Sequence, residues 1–215
     1  MKKHSPFTQP FELLPNTLPI FPLPSAVVLP GGLLPLNIFE PRYLNMIKDA
    51  MQGEQLIGMI QPQNNESPPS LFKVGCAARI IRYEETSDGR LEILLAGLCR
   101  FEIGKELSSM RGYRLILPKW ERFENDYQDS EPCDRQTSFL FSTTLRSYFK
   151  QREIDVDWAA IEQLSQETLI NNLLSQLPLS VADKQLLLES KTIGNRVESL
   201  IAVLKDQPAD IHARH

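Results

Sequence analysis

Short apolar runs broken by proline dominate the first forty residues: Leu18-Pro-Ile-Phe-Pro-Leu-Pro24, Val27-Val-Leu-Pro30 and Leu33-Leu-Pro-Leu-Asn-Ile38. Proline has no N–H to donate to a ladder, so this stretch predicts short strand pieces, sheet edges and bends. Gly31-Gly32 marks a turn. The period then changes. Pro41 suits a first helical position, and Tyr43, Leu44, Ile47, Ala50 and Met51 recur on one face of a helix that Gly53 ends. Leu56-Ile-Gly-Met-Ile60 follows as a short buried strand, and residues 61–70 form a polar, proline-bearing loop.

The middle of the chain reads as β. Residues 74–85 predict a long strand, Ser87-Asp-Gly-Arg90 a turn, and residues 91–96 its return. Shorter strands are expected near residues 100–103 and 113–117. This spacing suggests a compact, partly closed barrel or a pair of curled sheets. Farther on, apolar positions recur with the helical period near residues 137–150 and 158–174. Another helix starts at Ser180, where Asp183 three residues on completes a capping-box pattern, and residues 192–205 form a last one. The fold class is therefore α+β, a β-rich front followed by an all-helical back. The expected division is 1–120 for the β-rich domain, 121–135 for an acidic linker and 136–215 for a helical bundle.

Charge sharpens that division. Residues 1–120 carry 13 basic against 11 acidic side chains, and residues 121–215 carry 10 against 16. From Glu121 to Asp134 there are six acids and one base, the composition of a solvated linker. A net charge of -4 argues against a general nucleic-acid partner, which needs a basic face to neutralise phosphates. No run approaches the roughly 18–20 apolar residues that would span a bilayer, and the start carries no apolar leader region. Cys76, Cys99 and Cys133 form no pair pattern and read as reduced thiols, so the expected location is cytoplasmic.

Candidate chemistry is sparse. The three histidines, His4, His212 and His215, lie near the ends, where packing is not expected to hold a catalytic or metal-bound imidazole. No catalytic residues, cofactor or metal are expected. Glu153, Asp155 and Asp157 read as a solvated loop before a helix rather than as paired catalytic acids. Arg79, Arg82, Arg90 and Arg100 lie near Glu84, Glu85 and Glu92, which predicts cross-strand charge pairs. Phe21, Ile38, Phe39 and Tyr43 are candidates for an apolar groove that would hold peptide, although residues of this kind more often form core.

In order and spacing, several motifs resemble the amino-terminal domain of Lon proteases: Leu18-Pro-Ile-Phe-Pro-Leu, Leu71-Phe-Lys-Val-Gly75, Asp88-Gly89 and Gly97-Leu-Cys-Arg-Phe101. Leu177-Pro178, Lys184-Gln-Leu-Leu-Leu-Glu189 and Arg196-Val-Glu-Ser-Leu200 extend the match toward the end. The resemblance implies a barrel similar to the PUA domain, followed by a helical bundle. It also implies a non-catalytic role in recognising unfolded or damaged polypeptides, since this region of Lon helps select substrates ahead of an ATPase ring. Lon's ATPase and Ser-Lys peptidase modules have no counterpart here. Gly53 and Gly58 have the gap of a phosphate-binding loop, but Met59 stands where it needs lysine. A free-standing substrate-recognition module is thus expected. RNA binding through the PUA-like barrel, docking on a separate protease and self-association are the alternatives.

Overall fold

One long strand organises the molecule. The computed structural model describes residues 9–108, 111–128 and 131–207; the three histidines lie outside them. Six strands, β1 (Leu18–Pro22), β2 (Leu33–Ile38), β3 (Leu56–Ile60), β4 (Val74–Glu85), β5 (Leu91–Leu107) and β6 (Arg114–Lys119), form a sheet in the order β2-β5-β4-β3-β1-β6. β6 also pairs with β5, so five strands close into a barrel and β2 stays outside the ring. The β1–β3 pair is parallel and the other pairings are antiparallel.

β5 pairs with three strands because it is 17 residues long. Residues 91–96 pair with β2 and the outer part of β4, residues 99–102 with the inner part of β4, and residues 102–107 with β6. The sequence predicts two separate strands here, and Gly97 is what lets one strand run through. A Cβ at that position would stand 2.0 Å from the Leu29 carbonyl oxygen, so only glycine admits the crossing segment. Inside the barrel the fully buried Phe101 fills the space left by Gly58 and Gly75, where a Cβ would meet its ring at 2.9 and 2.6 Å. Leu18, Ile20, Leu56, Ile60 and Ile116, which share the face of Gly58, complete that interior.

The helices follow caps visible in the sequence. α1 spans Pro41–Gln52 and buries Tyr43, Met46, Ile47 and Ala50. α2 (Arg135–Gln151), α3 (Trp158–Glu162), α4 (Gln166–Gln176), α5 (Val181–Glu189) and α6 (Ile193–Asp206) form the helical half. The single helix expected over 158–174 is two, because the Ser165 hydroxyl accepts the Thr168 amide and starts a new one. Ser180 caps α5 through the Asp183 amide at 3.1 Å, as its spacing predicts. α2 packs on α6, burying Phe141, Leu145 and Tyr148 of the one and Val197, Leu200, Ile201 and Leu204 of the other.

Buried polar side chains fasten the helices to the sheet. Gln185 of α5 donates to the Val74 carbonyl (3.1 Å), while Gln61 at the end of β3 donates to Gln185 Oε1 (3.1 Å) and to the Val181 carbonyl (3.0 Å). Lys184 reaches the Ser25 carbonyl at 2.8 Å, and Asn171 of α4 the Pro30 carbonyl at 3.1 Å. The acidic stretch takes part as well. Residues Glu121–Tyr127 form a 3-10 helix against β5 that buries Phe123, so over this length the chain is not the solvated linker its charge suggests. The buried apolar residues from Leu14 to Leu204 make one contiguous cluster. Among the described residues no helix is long and apolar enough to cross a membrane.

Candidate functional site

The outer part of the sheet, where β2, β5 and β4 lie side by side, presents an open face. Its register aligns Leu33 with Ala96 and Arg79, Pro35 with Leu94 and Arg82, and Asn37 with Glu92 and Glu84. Directly opposed residues share a face, so these nine side chains point the same way. The alternate set, Leu34, Ile80, Ile93, Leu95 and Ile38, points inward and is buried. A register shift between Ile80 and Arg82 leaves Ile81 unpaired and keeps Arg79 and Arg82 on the same outer side. Leu33 is 53% exposed, Pro35 is exposed and Leu94 is half-buried, which leaves an apolar strip along β2 and β5. A groove of about 420 Å³ runs there, lined by Pro35, Leu36, Asn37, Arg82, Glu92 and Leu94. Among the described residues β2 pairs only with β5, and Pro35 contributes no N–H to its other edge.

The four residues singled out from sequence are not brought together on one surface. Phe21, Ile38 and Tyr43 are buried. β1 lies between β3 and β6 despite its prolines, and Phe21, on the face opposite Ile20, is buried against α1, where its ring meets Tyr43 with centroids 4.0 Å apart. Burial raises the Tyr43 phenol above its ordinary pKa. Phe39 alone of the four is open, at 63% exposure, with the Arg90 guanidinium 5.9 Å from its ring centroid. It follows β2 two residues after Asn37 and stands at the end of the apolar strip. Sequence reasoning missed Leu33, Pro35 and Leu94. For Leu33 and Pro35 the signal was the alternation within Leu33-Leu-Pro-Leu-Asn-Ile38, which Pro35 obscured; Leu94 carries no such signal, because its outward side follows from pairing with β2.

The arginines are used differently from the expected cross-strand pairs. Arg82 pairs with Glu84 on its own strand at 3.3 Å, and Arg90 with Asp88 in the turn at 2.9 Å. Arg79 donates to the Glu54 carbonyl and to Gln9. Glu92 has no cation within ion-pair distance among the described residues. The register shift at Ile81, which sets the side on which Arg82 falls, is not written in the spacing of charges.

Arg100 is wholly internal. Its guanidinium meets Asp126 at 2.7 Å, with side chains only 5% and 7% exposed, and donates to the Leu188 and Ser190 carbonyls at 3.0 and 2.6 Å. Arg196 donates to the Leu187 carbonyl at 2.9 Å, so two arginines cap the carboxyl end of α5. Burial lowers the Arg196 pKa to about 10, with Arg100 nearby adding to the effect. A polar cavity of about 470 Å³ opens beside them and reaches Cys133. Burial raises the Cys133 thiol, and the charges of Asp134 and Glu198 push it the same way, which is the opposite of what a nucleophile needs. Asp157, one of the acids weighed as a catalytic partner, caps α3 by accepting the Ala160 amide at 3.1 Å. Among the described residues no group of three or more His, Cys, Asp and Glu is placed to hold a metal.

Residues 17–206 match the family described as the ATP-dependent protease La (LON) substrate-binding domain. A Lon protease of Flavobacterium johnsoniae is 31% identical over 192 residues, covering 86% of this chain and 23% of that protein. One from Parabacteroides distasonis is 30% identical over 208 residues, covering 92% and 25%. The chain thus spans about a quarter of the length of these relatives. Its fold is similar to the crystal structure of a Lon N-terminal domain protein from Xanthomonas campestris (TM-score 0.61, 24% identity, 86% of this chain and 97% of that one). It is also similar to the N-terminal domain of Mycobacterium avium complex Lon protease (TM-score 0.65, 18% identity, 89% and 100%). The chain belongs to the LON substrate-binding domain family.

Proposed function

We propose that this protein is a non-catalytic recognition module that holds apolar segments of unfolded or damaged polypeptides on the open face of β2, β5 and β4. The observation that carries the reading is an exposed apolar strip, Leu33, Pro35, Leu94 and Phe39, beside an edge strand in a domain of a substrate-binding family. Unfolded chains share exposed apolar side chains and free backbone, and a shallow strip of this kind trades affinity for generality. Ile38 lies on the inward side of β2, while Phe21 and Tyr43 pack on each other between β1 and α1, so in this reading none of the three touches the client. The cytoplasm is the compartment this role and the free thiols fit.

Fluorescence anisotropy of a labelled, permanently unfolded polypeptide, with the same polypeptide folded as control, tests the reading. Saturable binding to the unfolded form alone is expected, weakened severalfold by Leu33→Ser and by Phe39→Ala. Phe139→Ser, at the 75% exposed position on α2, serves as the control and leaves binding unchanged. Flat titrations, or equal loss in the control, would overturn it.

A further inference from the structure

The charge arrangement on the same face narrows the class of client, and the inference rests on the recognition reading above. Glu84 and Glu92 stand directly opposite each other on β4 and β5 and point to the open side, beside Asn37 on β2. Directly opposed like charges destabilise a ladder, so a pair at the mouth of a groove calls for a cation. The nearby arginines do not supply it to both. Arg82 lies 3.3 Å from Glu84, and Arg90 is held by Asp88 at 2.9 Å with its guanidinium over Phe39. Glu92 is exposed, lines the 420 Å³ groove and has no cationic partner among the described residues. Leu94 and Pro35 adjoin it along the face, and Phe39, under the Arg90 guanidinium, follows two residues after Asn37, the residue opposite Glu92. Apolar side chains thus flank this position along the chain in both directions.

We infer that the face selects extended apolar segments that carry a lysine or arginine flanked by apolar side chains, the cation seating on Glu92. Such a client places apolar groups against Pro35 and Leu94 and against Phe39. Its ammonium or guanidinium meanwhile relieves the Glu84–Glu92 repulsion. Segments with an acidic residue at the same position meet that repulsion and are rejected. Client choice in this reading is a matter of charge context as well as hydrophobicity.

Three labelled peptides of one apolar sequence, differing only in a central Lys, Gln or Glu, are titrated against the full chain at low and high salt. The Lys peptide is expected to bind about threefold tighter than the Gln peptide and about tenfold tighter than the Glu peptide at low salt, the range open to a solvent-exposed ion pair. High salt compresses both ratios. Glu92→Gln, an exposed substitution that keeps the fold, brings Lys and Gln peptides to equal affinity. Equal binding of all three peptides to the wild type overturns the inference and leaves the recognition reading standing, as do wild-type ratios in Glu92→Gln. Binding of none of them overturns both. Leu33→Ser, which weakens all three alike in the expected case, shows that the apolar strip and the charge make separate contributions.

Discussion

Arg100 shows how far a residue's role lies from its sequence context. In the chain it is one of four arginines spread over a predicted sheet, with glutamates close by. In the fold it is buried, paired with a carboxylate 26 positions away and bonded to carbonyls 88 and 90 positions away. Removing one partner of a buried pair leaves the other charged and dry. Arg100→Leu is therefore expected to cost about 3–5 kcal/mol of stability. Urea unfolding checks this, and Arg100→Leu combined with Asp126→Leu should recover much of the loss, since it abandons no charge. A double variant as unstable as the single one would place the cost in the uncapped α5 carbonyls instead. Gly97 makes the same point. Glycine within a strand pattern signals a close approach, yet the approaching Leu29 carbonyl comes from a loop that no local pattern could place.

Elements were more legible than contacts. α1, α2, α5 and α6 lie where apolar period and capping residues put them, because both signals are local. The break between α3 and α4 was missed because apolar residues recur on both sides of Ser165, and only its cap separates the helices. The β2 face was half visible: alternation was there, but proline at every few positions argued for bends, and the identity of the inward set waited on pairing with β5. Capping also sets a pH dependence. Asp134 starts α2, and its carboxylate takes the Thr137 hydroxyl at 2.6 Å and the Gln136 and Thr137 amides at 2.8 and 2.9 Å. The Thr137 side-chain bond first, then the amides, hold its pKa below the ordinary carboxylate range. A depressed folded-state pKa contributes stability above the unfolded value of about 4, and that contribution is lost as pH falls through the folded value. Asp134→Ala should lower the urea midpoint at pH 7, with the gap to wild type narrowing toward pH 3. Asp134→Asn should keep most of the cap and flatten the pH response. A gap that is constant with pH would show that the carboxylate charge is not what α2 uses.

At the scale of the whole molecule, the change from strand to helix invites a division at the acidic stretch, yet packing runs across it. The buried cluster continues from the barrel into the helices, and the fastenings that cross are internal: Gln61 with Gln185, Lys184 with the Ser25 carbonyl, Arg100 with the end of α5. Polar groups that bond only across a junction stabilise the docked state, and each leaves a dry donor or acceptor if the halves part without water entering. Unfolding should therefore be cooperative over both halves. Two tryptophans report on them separately: Trp120 lies edge-on to Phe101 under the barrel with its indole N–H on the Pro15 carbonyl, and Trp158 lies edge-on to Phe149 beneath Arg146. In Trp158→Phe and Trp120→Phe variants each fluorescence signal isolates one half. The two urea transitions are expected to share one midpoint, after allowance for each substitution's own effect measured by circular dichroism. Arg100→Leu should lower both together. If the Trp158 signal were lost first and the Trp120 signal persisted, the helices would be a separately folding unit held only loosely by these bonds. The β2 face could then be tested alone. A shared midpoint instead means that a client bound at the edge strand stabilises the helices too, because ligand that binds only the native state shifts the whole cooperative unit.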